Sequence, residues 1–255
     1  MNPFDPYFQR IRDYTKDLEN SGRSLRVWLA DPLSGGGVTP SRVASPLILK
    51  ENTAVELGGP QTAGSTFIIW TKDVSLISNG QIMLVGPDFG EAHGGTLPFG
   101  QVTLVGGPTI GKEIQSRLEK EHYAAERVPG YMVRSTGGRI WSRVSSQALD
   151  DGISLRSLGA TIVAHLRDKL PAVTAAEIIF ITSSIDDVQN LERIGAQVRK
   201  LSHDLRRERL IETADGQYIC ENEISCEVCT DNEVCSDIRE ILVIRKKVNQ
   251  STSMS

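Results

Sequence analysis

Residues 177–209 read "EIIFITSSIDDVQNLERIGAQVRKLSHDLRRER", and two periods meet inside them. "EIIFIT" is a short β-branched run of the kind that forms a strand. Beyond it, Val188, Leu191, Ile194, Val198, Leu201 and Leu205 step by 3, 3, 4, 3 and 4 positions. That spacing lays one apolar stripe along a helix over about 187–209. Ser184, three residues before Asp187, resembles a capping box with Asp in place of the usual Glu or Gln. "LRRER" brings cations to the end of the helix, where its dipole favours them. A strand that hands the chain to a long helix points to a mixed α and β class.

Upstream, the pattern is richer in strands. "STFIIW", "QIMLV" and "QVTLV" are short apolar runs, punctuated by "SNG", "VGPDFG", "AHGGTLP" and "VGGP". Residues 110–127 turn helical, and a second helix is expected near 153–169. The first 24 residues carry Phe8, Ile11, Tyr14 and Leu18 at helical spacing. "LRVWLADPLSGGGVTPSRVASP" (25–46) gives a strand that breaks into a loop; it lacks the lysine and hydroxyl of a phosphate-binding loop. "IREILVIRK" near the C-terminus reads as a final strand, and "NQSTSMS" as a frayed tail. The expected fold is α+β, with a β-rich N-terminal half followed by a mixed α/β region carrying a C-terminal Cys-rich metal loop. Its expected divisions are 1–53 (a helix, a strand and a Gly/Pro loop), 54–242 (β-rich over 54–109, α/β over 110–242) and a flexible tail at 243–255.

Hydrophobic residues make up 39% and charged residues 24%, as in a globular protein rather than a disordered one. The net charge of −4 offers no basic surface for nucleic acid. No apolar run approaches the ~20 residues of a membrane helix, and "MNPFDPYFQRIRDYTKD" has no apolar signal region. The expectation is a cytoplasmic protein without membrane or nucleic-acid partners, in a compartment that keeps thiols reduced.

All four cysteines fall within 220–235: Cys220, Cys226, Cys229 and Cys235, spaced C-x5-C-x2-C-x5-C. Thiolates share one site only if a cation offsets their repulsion, so a metal centre is the expected reading. Zinc takes four thiolates tetrahedrally, although its ribbons usually show two C-x-x-C knuckles and here there is one. A [4Fe–4S] cluster also takes four and tolerates uneven spacing. Spacing leaves both open, beside four ordinary reduced cysteines.

Arg134, Arg139 and Arg143 flank "STGG" and Trp141. Guanidinium groups beside glycine turns could clasp phosphates; surface arginines on a loop and strand are the plainer alternative. Trp141 is expected in the core, and Asp88, after Gly-Pro, as a turn carboxylate capping backbone N–H groups. His93 reads as a turn residue, His122 and His165 as helical packing or surface positions, and His203 as a residue beside the long helix's stripe. Neither a Ser-His-Asp nor a Cys-His arrangement can be read from spacing.

"VELGGPQTAGSTFIIW", "ISNGQIMLVGPDFGEAHGGTLPFGQVTLVGG", "IWSRVSSQALDDGISLRSLGATIVAHL" and "CEVC…VC" occur in an order that resembles the A-cluster-bearing subunit of the carbon monoxide dehydrogenase/acetyl-CoA synthase family. The resemblance covers about 54–242. It implies a nickel–iron–sulfur centre that joins a methyl group, carbon monoxide and coenzyme A. It also implies that Cys226, Cys229 and Cys235 hold the cluster, with Cys229 in the bridging place and Cys220 standing in for the family's downstream fourth ligand. Coenzyme A would be the owner of the phosphates at Arg134, Arg139 and Arg143. This sequence departs in its shorter Cys229–Cys235 gap and in having no "QSFAP"-like insert. It also has no Cys-Gly-Cys, so nickel is not expected without a partner subunit. The expected function is a metal-cluster protein for altered acyl or one-carbon transfer, acting with a protein partner. The alternatives are a scaffold with a structural zinc or iron–sulfur site, or an electron-transfer subunit.

Overall fold

The computed structural model describes residues 2–30, 47–59, 62–92, 95–111, 114, 117–118, 121, 128–136, 138–207, 210–212, 218–220, 236 and 238–244. The chain divides into two compact units, Met1–Arg199 and Lys200–Ser255.

The first unit is built on two sheets. A five-stranded mixed sheet has the order β1 (Leu25–Leu29), β4 (Gln81–Val85), β9 (Ala175–Ile181), β6 (Phe99–Gly106) and β3 (Gly64–Thr71). β4 and β9 run parallel, as do β3 and β6, while β6 and β9 are antiparallel. Every residue of β6 and β9 is buried, and all of β3 except its first. Burial on both faces is why these strands read as continuous apolar runs rather than as alternation. The second sheet has the order β5 (Thr96–Leu97), β2 (Thr53–Leu57), β8 (Arg139–Ser145) and β7 (Tyr131–Thr136). Here β8 alternates strictly between Ile140, Ser142 and Val144 inside and Arg139, Trp141 and Arg143 outside, whereas Tyr131, Met132 and Val133 of β7 are buried in succession.

Helix α1 (Asp5–Asn20) packs against β3 and β4, burying Phe8, Ile11 and Leu18. Its Arg12 pairs with Glu177, which sits in the centre of β9 with no exposed surface. A five-residue helix α2 (Ser146–Asp150) follows β8. Helix α3 (Leu155–Lys169) lies on β9 and β4 through Leu158, Ile162 and Leu166. Asp88 caps as expected, over a wider reach: its Oδ1 accepts from the N–H groups of Phe89 at 2.7 Å and of Leu155, the first residue of α3, at 2.9 Å. The mixed α and β character expected from the sequence is present, with strands and helices interleaved along the chain.

Helix α4 spans Ile185–Arg207, close to the expected 187–209. Half of the expected capping box forms, with Ser184 Oγ accepting from the Asp187 N–H at 3.1 Å. The Asp187 carboxylate instead accepts from Ser183 Oγ at 2.6 Å and pairs with Arg23 at 2.9 Å. Burial by itself would raise the pKa of Asp187, but the hydrogen bonds from Ser183, Ser184 and Arg23 together hold it below the ordinary carboxylate value. The Tyr14 hydroxyl donates to the Asp187 carbonyl, which ties α1 to the start of α4.

In the second unit, β10 (Leu210–Glu212) and β11 (Tyr218–Cys220) pair antiparallel. The expected final strand is corrected: residues 238–244 are helical. "IREILVI" carries β-branched residues, but Ile238, Ile241 and Leu242 also repeat at 3 and 4, and that period prevails. Of the helical stretch expected at 110–127, described positions 117, 118 and 121 are helical. The loop at 31–46, His93, His122 and the tail from 245 lie outside the described residues.

Candidate functional site

The outward face of the second sheet forms one wall of a cleft of about 850 Å³, a size suited to a cofactor-like ligand. Strand register assembles this wall. Arg134 on β7 stands opposite Trp141 on β8, and Glu56 on β2 stands opposite Arg143. All three expected arginines therefore line one cavity. Trp141 is corrected from the core to this cleft: it is half-buried, because the outward phase of β8 that exposes Arg139 and Arg143 exposes it too.

The three arginines are not equivalent. Arg143 is mostly buried, with 17% of its side chain exposed. Its Nη1 donates to the Ile48 carbonyl at 2.9 Å, and its Nε lies 3.4 Å from Glu56 Oε2. Its guanidinium carbon sits 4.7 Å over the Trp141 ring, a cation–π arrangement. The other Glu56 oxygen accepts from Trp141 Nε1–H at 2.9 Å. Arg134 and Arg139 are exposed. Arg134 donates to the carbonyl of its own neighbour Val133 at 2.9 Å, and Arg139 has no side-chain partner among the described residues.

The opposite wall comes from the Gly-rich turn after β2 and the first turns of α4. A Cβ at Gly58 or Gly64 would overlap the carbonyl oxygen of Ile140, so only glycine lets this turn lie against β8. A Cβ at Gly59 would come within 2.5 Å of Glu56 Oε1, so the turn also closes over that carboxylate. Val188, Gln189 and Glu192 of α4 complete the lining. Glu192 is engaged by Arg199 and by Ser65 Oγ, the latter at 2.7 Å. Both lining carboxylates thus have cationic partners, while Arg134 and Arg139 have no anionic partner among the described residues. The cleft is suited to an anion with several acceptor oxygens.

The sequence pointed to the arginines through their glycine and tryptophan neighbours. It did not point to Glu56, which lies 85 residues from its partner Trp141. "VELGG" held the available signal: a carboxylate on an alternating strand, separated by Leu57 alone from a glycine pair.

The metal expectation falls mostly elsewhere. Cys226, Cys229 and Cys235 lie outside the described residues, and Cys220 is described only as a β11 backbone position opposite Leu210. Among the described residues no group of three or more His, Cys, Asp or Glu could hold a metal ion. His165 pairs with Glu121 at 2.7 Å and His203 lies 3.7 Å from Asp204. No described helix is long and apolar enough to cross a membrane.

A family profile described as the CO dehydrogenase/acetyl-CoA synthase complex beta subunit matches residues 44–187, and the chain belongs to that family. The acetyl-CoA decarbonylase/synthase complex subunit beta of Methanothermobacter thermautotrophicus is 28% identical over 191 residues, covering 74% of this chain and 40% of that protein. The carbon monoxide dehydrogenase/acetyl-CoA synthase subunit alpha of Moorella thermoacetica is 27% identical over 237 residues, covering 90% of this chain and 31% of that protein. The chain therefore spans well under half the length of these relatives.

Proposed function

We propose that this chain is a subunit of an acetyl-CoA synthase-type assembly, binding coenzyme A in the arginine cleft and a metal centre at its cysteines. The observation that carries this reading is the pair of guanidinium groups without an anionic partner among the described residues, Arg134 and Arg139, both inside the family-matched segment and both lining a cleft of cofactor size. Coenzyme A presents a diphosphate and a 3′-phosphate, and arginine forks suit such oxygens. Its thiol end is the part that an acyl or one-carbon transfer would use, in company with a partner subunit.

Cys220, Cys226, Cys229 and Cys235 are the metal ligands in this reading. A four-thiolate set fits [4Fe–4S] and also zinc. When bound, an iron–sulfur cluster would supply electron-transfer capacity, whereas zinc would secure the segment. No Cys-Gly-Cys is present among the 255 residues, so nickel is not part of the ligand set read here. The cytoplasmic expectation belongs to the same proposal, since such clusters need a reducing compartment.

Isothermal titration of the full chain with coenzyme A, 3′-dephospho-coenzyme A and pantetheine tests the cleft. The expected order of affinity is the order just given, and Arg139→Gln weakens coenzyme A by about tenfold, the scale of one charge-assisted hydrogen-bond pair. Equal binding of pantetheine and coenzyme A overturns the reading. Anaerobic purification with iron, nickel and zinc analysis tests the cysteines. If Cys226→Ser loses metal and folding but no activity per folded molecule, the scaffold alternative replaces the catalytic one.

A further inference from the structure

Glu56 is placed where a ligand's phosphate would otherwise compete for Arg143. One of its carboxylate oxygens takes the Trp141 indole N–H at 2.9 Å and the other faces Arg143 Nε at 3.4 Å. Both side chains of the ion pair are mostly buried, at 21% and 17% exposed, so solvent screens the pair weakly. Arg143 is further engaged by the Ile48 carbonyl and by the Trp141 ring. Gly59 sits against the Glu56 carboxylate and leaves no room for a side chain between them. Arg139, on the same face of β8, has none of these partners.

We propose that Glu56 is an internal counter-ion of the cleft. It holds Arg143 over the Trp141 ring and withdraws that charge from the ligand, so that recognition of phosphates falls to Arg139 and Arg134. The assignment deepens the coenzyme reading and rests on it for the identity of the ligand. One Glu56 oxygen stands at ion-pair distance from Arg143 Nε, 3.4 Å, without a hydrogen bond, so the carboxylate offsets the charge of Arg143 rather than filling its donors, and a phosphate gains less there than at an unpaired guanidinium. Glu56 therefore acts as a positioning and selectivity residue: it limits the free cations of the cleft to two and discriminates against anions that need three.

The test uses inorganic pyrophosphate as probe, titrated calorimetrically into the full chain at several salt concentrations. Glu56→Gln keeps an amide oxygen for the Trp141 indole and removes the charge. It is expected to tighten pyrophosphate by about fivefold and to steepen the salt dependence, as one more free cation requires. Glu56→Gln combined with Arg143→Met returns the affinity to the wild-type level, which a merely structural Glu56 would not do. Gly59→Ala, whose methyl group displaces the carboxylate without deleting it, gives a gain in the same direction and serves if the glutamine variant folds poorly.

Weaker binding in Glu56→Gln, or a gain that survives the loss of Arg143, overturns the proposal. If the wild type binds coenzyme A and neither Glu56 nor Gly59 variants gain affinity, the coenzyme reading stands and the counter-ion assignment fails. If the wild type binds neither coenzyme A nor pyrophosphate, yet Glu56→Gln gains pyrophosphate binding through Arg143, the assignment stands and the coenzyme reading fails. No binding by either protein removes both.

Discussion

Replacing Arg12 by Ala tests whether the first helix is structurally required by the segment that carries the family signature. Glu177 has no exposed surface, and its carboxylate receives both terminal nitrogens of Arg12 together with the Ser78 N–H at 2.9 Å. Gln81 Nε2 adds a long contact at 3.4 Å. Removing Arg12 leaves a buried carboxylate with one good donor, and breaking a buried pair in this way costs about 3–5 kcal/mol. Arg12 is itself 26% exposed, so water can enter behind the deleted side chain. The expected loss therefore lies at the lower end, about 3 kcal/mol. A urea slope near ~3 kcal/mol per molar makes this a fall of about 1 M in the unfolding midpoint. The double variant Arg12→Leu/Glu177→Leu should recover most of the loss, because it leaves no charge to strand. The same reasoning predicts that a fragment of residues 44–187 does not fold, since it lacks Arg12, β1 and the apolar face of α1. A single-variant loss below about 1 kcal/mol, or a cooperatively folded fragment, refutes the reasoning.

Gly64→Ala and Gly59→Ala should behave oppositely. The first drives a methyl group into the Ile140 carbonyl and lowers Tm by several degrees, from an overpacking cost of about 1–3 kcal/mol; the second meets only a movable carboxylate tip, keeps Tm, and shows itself in the calorimetry of anion binding. Burial raises the pKa of Tyr131, against its hydrogen bond with Ser142, and burial with the nearby Asp187 charge raises that of Tyr14, against Arg23. Spectrophotometric titration should therefore show the phenols of Tyr14 and Tyr131 ionising at higher pH in the native protein than in the unfolded chain, with Tyr14→Phe and Tyr131→Phe identifying them. The sign follows from the raised folded values: the stabilisation is complete below the unfolded tyrosine pKa of about 10 and is lost as pH rises above it.

What the sequence disclosed was local. The 3-and-4 stepping of Val188 to Leu205 requires no partner to be read, and α4 lies where it predicts. The runs at 65–70, 81–85 and 101–105 likewise become strands. The pairing of these strands is non-local, and nothing local encodes it: β9 (Ala175–Ile181) inserts between β4, which ends at Val85, and β6, which ends at Gly106. The cleft depends on the same non-local register. Arg139, Trp141 and Arg143 share a face because β8 alternates, a fact visible in "RIWSRVS" once it is taken as a half-exposed strand. Trp141 was misplaced because a large aromatic weighs toward burial when the phase of its strand is ignored. Glu56 reaches Trp141 only through the β2–β8 pairing. The misreading at 238–244 has the opposite origin, a local conflict in which β-branched composition suggested a strand while spacing specified a helix.

The family match ends at residue 187, in the first turn of α4, yet Gln189 and Glu192 of the cleft lie beyond it, and Arg12, which braces β9, lies before it. The working unit is therefore larger than the matched segment and coincides better with Met1–Arg199. The cysteines belong to Lys200–Ser255. The anion binding proposed at the arginines and the metal loading proposed at the thiols are consequently separate quantities, each measurable without the other. If each ligand changes the affinity for the other, the two are energetically linked. Linkage is reciprocal: whatever factor metal loading applies to coenzyme A affinity, coenzyme A must apply to metal affinity. A scaffold role needs no such factor, whereas acyl transfer at a metal centre needs the ligand's thiol and the metal to share one state. The size of that factor, rather than the presence of either ligand, is what separates a structural metal from a working one.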